Sequence, residues 1–165
     1  MRASKPGRVG VAWAVRERPL SDRAVRAAVR AALSHGGRSG IEVEVALVSD
    51  RRLASIHGRF LDDPSVTDVI SFDLGSAGGG AVGEIYVSVD RARKVARERG
   101  DDPASELRLY LVHGALHLCG FDDRTPQDRL RMRAAESIVL SGRASPRAAL
   151  RGTRRPRPYK KIEKS

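Results

Sequence analysis

A chain of 165 residues has room for one domain and an extension, and not for two ordinary domains. An apolar share of 41% supports a core without staples, and the single cysteine, Cys119, excludes an internal disulfide and fits a reducing compartment. No stretch approaches the roughly 20 uninterrupted apolar residues that span a bilayer. The basic N-terminus leads into a short apolar run broken by Arg16, Glu17 and Arg18, so a signal peptide is not expected and the cytoplasm is. The net charge of +11 is unevenly placed. Residues 141–165 carry nine Arg or Lys and one acid, Glu163, which leaves 22 basic and 19 acidic groups for the rest. The body is nearly balanced and the tail is the polycation.

Val9, Val11, Trp13 and Val15 alternate with smaller or polar residues, the signature of a first strand. Ser21 is placed to cap a helix over 22–34, which the glycine cluster at 36–40 ends. Residues 41–48 alternate at period two, and Ser49 and Asp50 offer caps for a short helix over 51–60. Pro64 breaks the pattern, and residues 66–72 predict a third strand. Five glycines between Gly75 and Gly83 predict a flexible loop or hairpin tip before a fourth strand over 84–89. Asp90 is placed to cap a basic helix over 91–99. A long helix is expected from 104 to 118, ending at Gly120, and a final one over 126–140 with Pro126 in its first turn.

Beyond Gly142 the chain has three prolines, many like charges and almost no large apolar side chains. Such a segment cannot bury enough surface to offset its ordering entropy, so 143–165 is expected to be a disordered basic tail after a domain over 1–142. A disordered Arg/Lys segment with one aromatic, Tyr159, suits salt-sensitive phosphate contacts with RNA; the plainer reading is a solubilising extension.

The segment 112–123, VHGALHLCGFDD, carries the chemistry. His113 and His117 stand four apart on the predicted helix, so both imidazoles leave one face and can converge on one ion. Gly120 can turn the chain back, bringing Asp122 and Asp123 where a third ligand is needed. Two histidines and a carboxylate with one position open to water is the pattern of a catalytic zinc site, although histidine pairs at this spacing also occur without function. A zincin protease has Glu directly after the first histidine; Gly114 stands there, so that peptidase mechanism is disfavoured.

The run His113-Gly114-x-Leu116-His117-Leu118-x-Gly120-Phe121-Asp122 resembles the signature of the YbeY endoribonucleases, also called rRNA maturation factors. Phe60-Leu61 followed by Thr67-Asp68-Val69-Ile70-Ser71-Phe72, and Val82-Gly83-Glu84-Ile85-Tyr86-Val87-Ser88, are similar to two further blocks of that family. The resemblance extends over about residues 8–140. It implies a single-strand-specific endoribonuclease acting in 16S rRNA 3′-end maturation and ribosome quality control. One zinc ion per chain, ribosomal RNA and the small ribosomal subunit are the implied cofactor and partners, with no membrane and no small-molecule cofactor. The implied metal ligands are His113, His117 and Asp123, the last standing where the family usually has a third histidine. Oxygen ligation should make the site harder and more tolerant of other divalent ions. Asp122 matches the family's own aspartate and is expected to orient a ligand. Leu61 stands where the family commonly has arginine; Arg59, two residues earlier, is the candidate to contact phosphate in its place.

Other residues admit two readings. Cys119 is two residues from His117 and is expected to be a buried structural thiol rather than a fourth ligand. Thr67, Asp68 and Ser71 line the substrate groove by resemblance, or Asp68 caps a turn. His57, where the family often has asparagine, is expected at a helix surface. Arg91, Arg93, Lys94, Arg97 and Arg99 form either an ordinary solvated face or an RNA-facing patch.

The reading as a whole is one α+β domain, a four-stranded mixed sheet with about five helices, whose metal catalyses phosphodiester hydrolysis. Its rival is a non-catalytic ribosome-assembly factor with a structural metal, which would normally have four protein ligands.

Overall fold

The computed structural model describes residues 5–61, 67–76 and 80–142. The expected break at Pro64 and the expected disorder of 143–165 lie outside them. So does the centre of the glycine-rich segment. Around these gaps nine elements follow in chain order: β1 (Val9–Trp13), α1 (Asp22–His35), β2 (Glu42–Val48), α2 (Asp50–Leu61), β3 (Val69–Ser76), β4 (Ala81–Ser88), α3 (Val89–Arg99), α4 (Pro103–Leu118) and α5 (Pro126–Leu140).

The strands form one mixed sheet in the order β1-β2-β4-β3. β1 and β2 are parallel, as are β2 and β4, whereas β3 runs antiparallel to β4 at the edge. Period-two alternation divides the sheet faces. Val43, Val45, Leu47, Ile85 and Val87 point into the main core with α1 and α4. Ala46, Tyr86, Ile70 and Phe72 face the other way, where Leu53 and Ile56 of α2 cover them.

Local chemistry accounts for the helix ends. Ser21 accepts from the Ala24 amide at 3.1 Å, as its position predicts. The cap of α3 is Ser88, not Asp90: its hydroxyl accepts from the Arg91 amide at 3.0 Å, so the helix starts two residues before the basic run. The strands also run further into the glycine-rich segment than the glycines predict, with β3 continuing through Gly75 to Ser76 and β4 starting at Ala81. Antiparallel pairing carries the strands into that segment, and its register shifts between Asp73 and Ser76, where Gly75 takes a φ of 71°.

α4 is the central helix. Leu107, Tyr110, Leu111, Val112, Ala115, Leu116 and Leu118 are all buried, because α1, α3, α5 and the sheet pack round it. It comes close to the sheet at Gly114. A Cβ there would stand 2.8 Å from Val69 Cγ2, 2.9 Å from Ile85 Cγ2 and 3.1 Å from Ser71 Oγ. The Ser71 hydroxyl uses this proximity to donate to the Gly114 carbonyl at 2.8 Å. Glycine therefore seats on the sheet the helical turn that lies between His113 and His117. No helix among the described residues is long and apolar enough to cross a membrane.

Candidate metal centre

The last turns of α4 present His113 and His117 on one side, with their Nε2 atoms 2.9 Å apart and their rings edge-to-face. α4 ends at Leu118, and the chain reverses through Gly120 at φ 92°, the left-handed conformation that glycine tolerates. The return brings Asp123 Oδ2 to 3.4 Å from His113 Nε2 and 3.6 Å from His117 Nε2. These three are the one group of potential metal-binding side chains whose ligand atoms converge among the described residues. Tetrahedral ligands about 2.1 Å from a zinc ion stand roughly 3.4 Å from one another. The three side chains fit that spacing, with the two imidazoles slightly close.

Behind His113 lies Glu136 of α5, whose Oε1 is 2.6 Å from His113 Nδ1. A carboxylate holding the far nitrogen of a metal-binding histidine fixes both tautomer and ring direction. Electrostatics separate the two rings. Burial lowers the pKa of His113, but the hydrogen bond and charge of Glu136 and the charge of Asp123 outweigh it, so the net shift is upward. For His117, burial and the neighbouring His113 prevail over Asp123 and lower the pKa. The shift favours the neutral ring of His117, the form that ligates a cation.

The remaining candidates fall apart from this group. Asp122 turns its Oδ1 to the Asp123 amide at 2.8 Å and so shapes the loop that delivers Asp123. Arg59 is exposed on α2 and is not among the residues lining the cavity over the metal group. Two residues of helix put it on a different face from the family position at Leu61, whose side chain lies outside the description. Cys119 is not a ligand. Its sulfur packs 4.0 Å from the carbonyls of Ala32 and Leu33, and burial pushes the thiol up to about 12.

The cavity measures about 440 Å³ and runs along the edge strand β3. Thr67, Asp68 and Ser71 line it, as expected for a groove-forming segment. Arg99 from the basic α3 reaches it too, 4.0 Å from Glu106, while Arg93 pairs with Glu17 at 2.9 Å away from it. The basic run is thus divided between a cavity wall and an ordinary ion-paired face.

Among the lining residues that sequence reasoning missed, Glu136 and His57 matter most to the site. Glu136 neighbours Ala135 and shares the α5 face of the buried Met132 and Val139. A carboxylate on such a face signals a buried partner. His57 was expected at a surface but is 8% exposed and lines the cavity. It stands four residues after the buried Leu53, a helical repeat that places both on the inward face.

The endoribonuclease YbeY family model matches residues 14–143. Endoribonuclease YbeY of Anaeromyxobacter dehalogenans is 35% identical over 135 residues, covering 81% of this chain and 70% of that one. Endoribonuclease YbeY of Chlamydia felis is 30% identical over 142 residues, covering 82% and 90%. Among solved structures, the solution structure of TM1509 from Thermotoga maritima is similar with a TM-score of 0.53, covering 82% of this chain and 90% of that one. At 20% identity that likeness speaks for the fold alone.

Proposed function

The chain belongs to the endoribonuclease YbeY family, and on that premise we propose that it hydrolyses phosphodiester bonds of single-stranded RNA at a zinc ion held by His113, His117 and Asp123. The observation that carries the reading is the convergence of those three ligand atoms at a cavity wall, with Glu136 fixing His113 from behind. Three protein ligands leave a position for water or a phosphoryl oxygen, the arrangement of catalytic rather than structural zinc. When bound, zinc supplies Lewis acidity toward a phosphoryl oxygen and lowers the pKa of a coordinated water.

Charge accounting supports a resident cation. Asp68, Glu106, Asp123 and Glu136 line the cavity with one guanidinium, Arg99, and even with Arg91 paired to Asp68 at 3.3 Å the carboxylates are in excess. A phosphodiester would meet net repulsion there unless a divalent ion offset the carboxylates. Within this scheme Glu136 orients His113, and Asp122 shapes the loop that presents Asp123. Arg59, on the exposed face of α2, contacts phosphates of the strand outside the cavity.

The substrate we assign is ribosomal RNA, at the 3′ end of the 16S species in the small ribosomal subunit, with a part in ribosome quality control in the cytoplasm. The family membership and the basic tail support this. We assign the catalytic domain to residues 1–142, and to the tail over 143–165 unspecific affinity for RNA phosphates. No small-molecule cofactor enters the scheme.

Metal analysis of the protein beside His113→Ala and Asp123→Ala, paired with cleavage of single-stranded RNA, tests the reading. One zinc per chain in the parent, lost in His113→Ala together with cleavage, is expected. Cleavage that survives in a repurified, metal-free His113→Ala protein would be incompatible with the mechanism.

A further inference from the structure

The polar side chains of the cavity are nearly all committed to partners within the protein. The Ser71 hydroxyl donates to the Gly114 carbonyl at 2.8 Å, and the Thr67 hydroxyl to the Val69 carbonyl at 3.3 Å. Tyr110 is hydrogen-bonded to Glu106, and Arg99 stands 4.0 Å from the same carboxylate. His113 is tied to Glu136 and faces His117 and Asp123. His57 differs. It lines the cavity, is 8% exposed, and its Nδ1 is sealed from solvent without a hydrogen-bond partner. A buried polar nitrogen left unpaired carries a desolvation cost, and a functional role for the ring is one of the few reasons for a fold to retain it.

The placement of His57 matters as much as its lack of a partner. α4 brings the metal group to one face of the β3 edge, while α2 covers the opposite face. Ile70 packs on the α2 side, whereas its neighbour Ser71 bonds to α4. The cavity reaches round this edge, so His57 lines it from α2 while His113 and His117 line it from α4. A strand laid along β3 therefore passes both.

We propose that His57 is a substrate-contacting residue, its imidazole donating a hydrogen bond to a non-bridging oxygen of a phosphodiester seated in the cavity. The inference rests on the reading of this cavity as a phosphodiester site. It supplies a donor on the inward face of α2, where the exposed Arg59 does not reach. A neutral or a protonated ring offers an N–H, so the contact does not depend on the charge state. No acceptor stands at the sealed Nδ1, so the neutral ring carries its proton on the nitrogen that borders the cavity, and it is that N–H from which the anion accepts.

The test compares the zinc-loaded parent with His57→Phe, which keeps a planar ring and removes the donor, and with His57→Asn, which keeps a donor. A short single-stranded DNA, which carries the phosphates without the 2′-hydroxyl, serves as the binding probe. Single-turnover cleavage of the matching RNA is measured beside it. His57→Phe should retain zinc and thermal stability while losing roughly ten- to hundredfold in DNA affinity and cleavage rate, the usual worth of a hydrogen bond to a charged group. His57→Asn should stay within a few-fold of the parent. Unchanged affinity in a zinc-replete His57→Phe overturns the proposal. Zinc loss in both variants overturns it as well, because His57 would then be a positioning residue for the metal. A parent that binds DNA through His57 but cleaves no RNA would leave this contact standing and defeat only the nuclease reading.

Discussion

Glu136 Oε1 lies 2.6 Å from His113 Nδ1, so a carboxylate on α5 governs the direction of an imidazole on α4. The pair is mostly shielded, with side-chain exposures of 23% for His113 and 14% for Glu136, and its geometry belongs to the packing of two helices rather than to a mobile surface contact. If His113 ligates zinc, Glu136 holds the proton on the far nitrogen and leaves Nε2 free for the ion. Glu136→Gln keeps the shape but weakens the acceptor, and is expected to cost about tenfold in zinc affinity; Glu136→Ala should approach a hundredfold. Competition with a chromophoric chelator measures both. Affinities equal to the parent would remove Glu136 from the site.

Gly114 lies between the two histidines at a tight contact of α4 with the sheet. Alanine is the better helix former by about 1 kcal/mol. Its methyl would nonetheless stand under 3.0 Å from Val69 and Ile85, β-branched side chains held in a sheet. Overpacking of this kind costs about 1–3 kcal/mol, so Gly114→Ala is expected to be destabilising by about 1 kcal/mol net. Shifting the helix would also move His113 and His117 away from Asp123, and zinc affinity should fall. Urea unfolding and the same chelator titration provide the two readings.

Arg38 clamps the end of α4 to β3. Its guanidinium donates to Asp73 Oδ2 at 2.6 Å and to the Leu118 carbonyl, one residue beyond His117. Burial raises the pKa of Asp73, but the hydrogen bonds from Arg38 and the Gly75 amide and the Arg38 charge prevail, leaving it below the usual carboxylate range. A folded pKa below the unfolded one contributes stability that is present above the unfolded value, about 3.9, and is lost as pH falls through the folded value. Arg38→Met should therefore be destabilising at neutral pH by about 1–2 kcal/mol, after allowance for solvent screening. The difference from the parent should shrink in acid below about pH 3.9. Denaturant midpoints across that range would record it, and a pH-independent difference would dissociate the Asp73 charge from the effect.

The sheet and the helices were readable because their residues repeat at clean periods, and the histidine pair because two ligands on one helix are a local pattern. What stayed hidden depends on distant packing. Glu136 is 23 residues from His113, and only the α4–α5 contact joins them. His57 reads as a polar helix residue until β3 is seen to leave a cavity beside it. Gly114 was informative only as the absence of a glutamate, although an interior helical glycine carries a propensity cost that asks for a packing reason. Arg59 shows the reverse limit. Nearness in sequence to a family position did not bring it to the cavity, because a helix rotates about 100° per residue.

The tail gives a prediction that needs no fold. Nine cations beyond residue 140 face one acid. Removing 143–165 should leave the metal group intact and lower RNA affinity. It should also flatten the dependence of binding on salt, each lost phosphate contact reducing the log–log slope by about 0.7 for a single strand. Filter binding across a salt series would measure this, and an unchanged slope would make the tail a solubilising extension.

Asp123 stands where the sequence resemblance implies a third histidine, and that position can be tested by reversal. A carboxylate oxygen is a harder ligand than an imidazole nitrogen, so the parent should discriminate less between zinc and manganese than a three-histidine site would. Asp123 is also the most exposed of the three proposed ligands, its side chain 44% accessible, and lies on a loop, so a larger ring there meets little steric resistance. Asp123→His should tighten zinc relative to manganese by roughly tenfold or more, because imidazole suits zinc while carboxylate suits manganese. Competitive metal titrations of the two proteins would show it. If cleavage in the parent is supported by manganese and in Asp123→His mainly by zinc, the third ligand sets the metal preference. Identical selectivity in the two proteins would mean that Asp123 does not reach the ion.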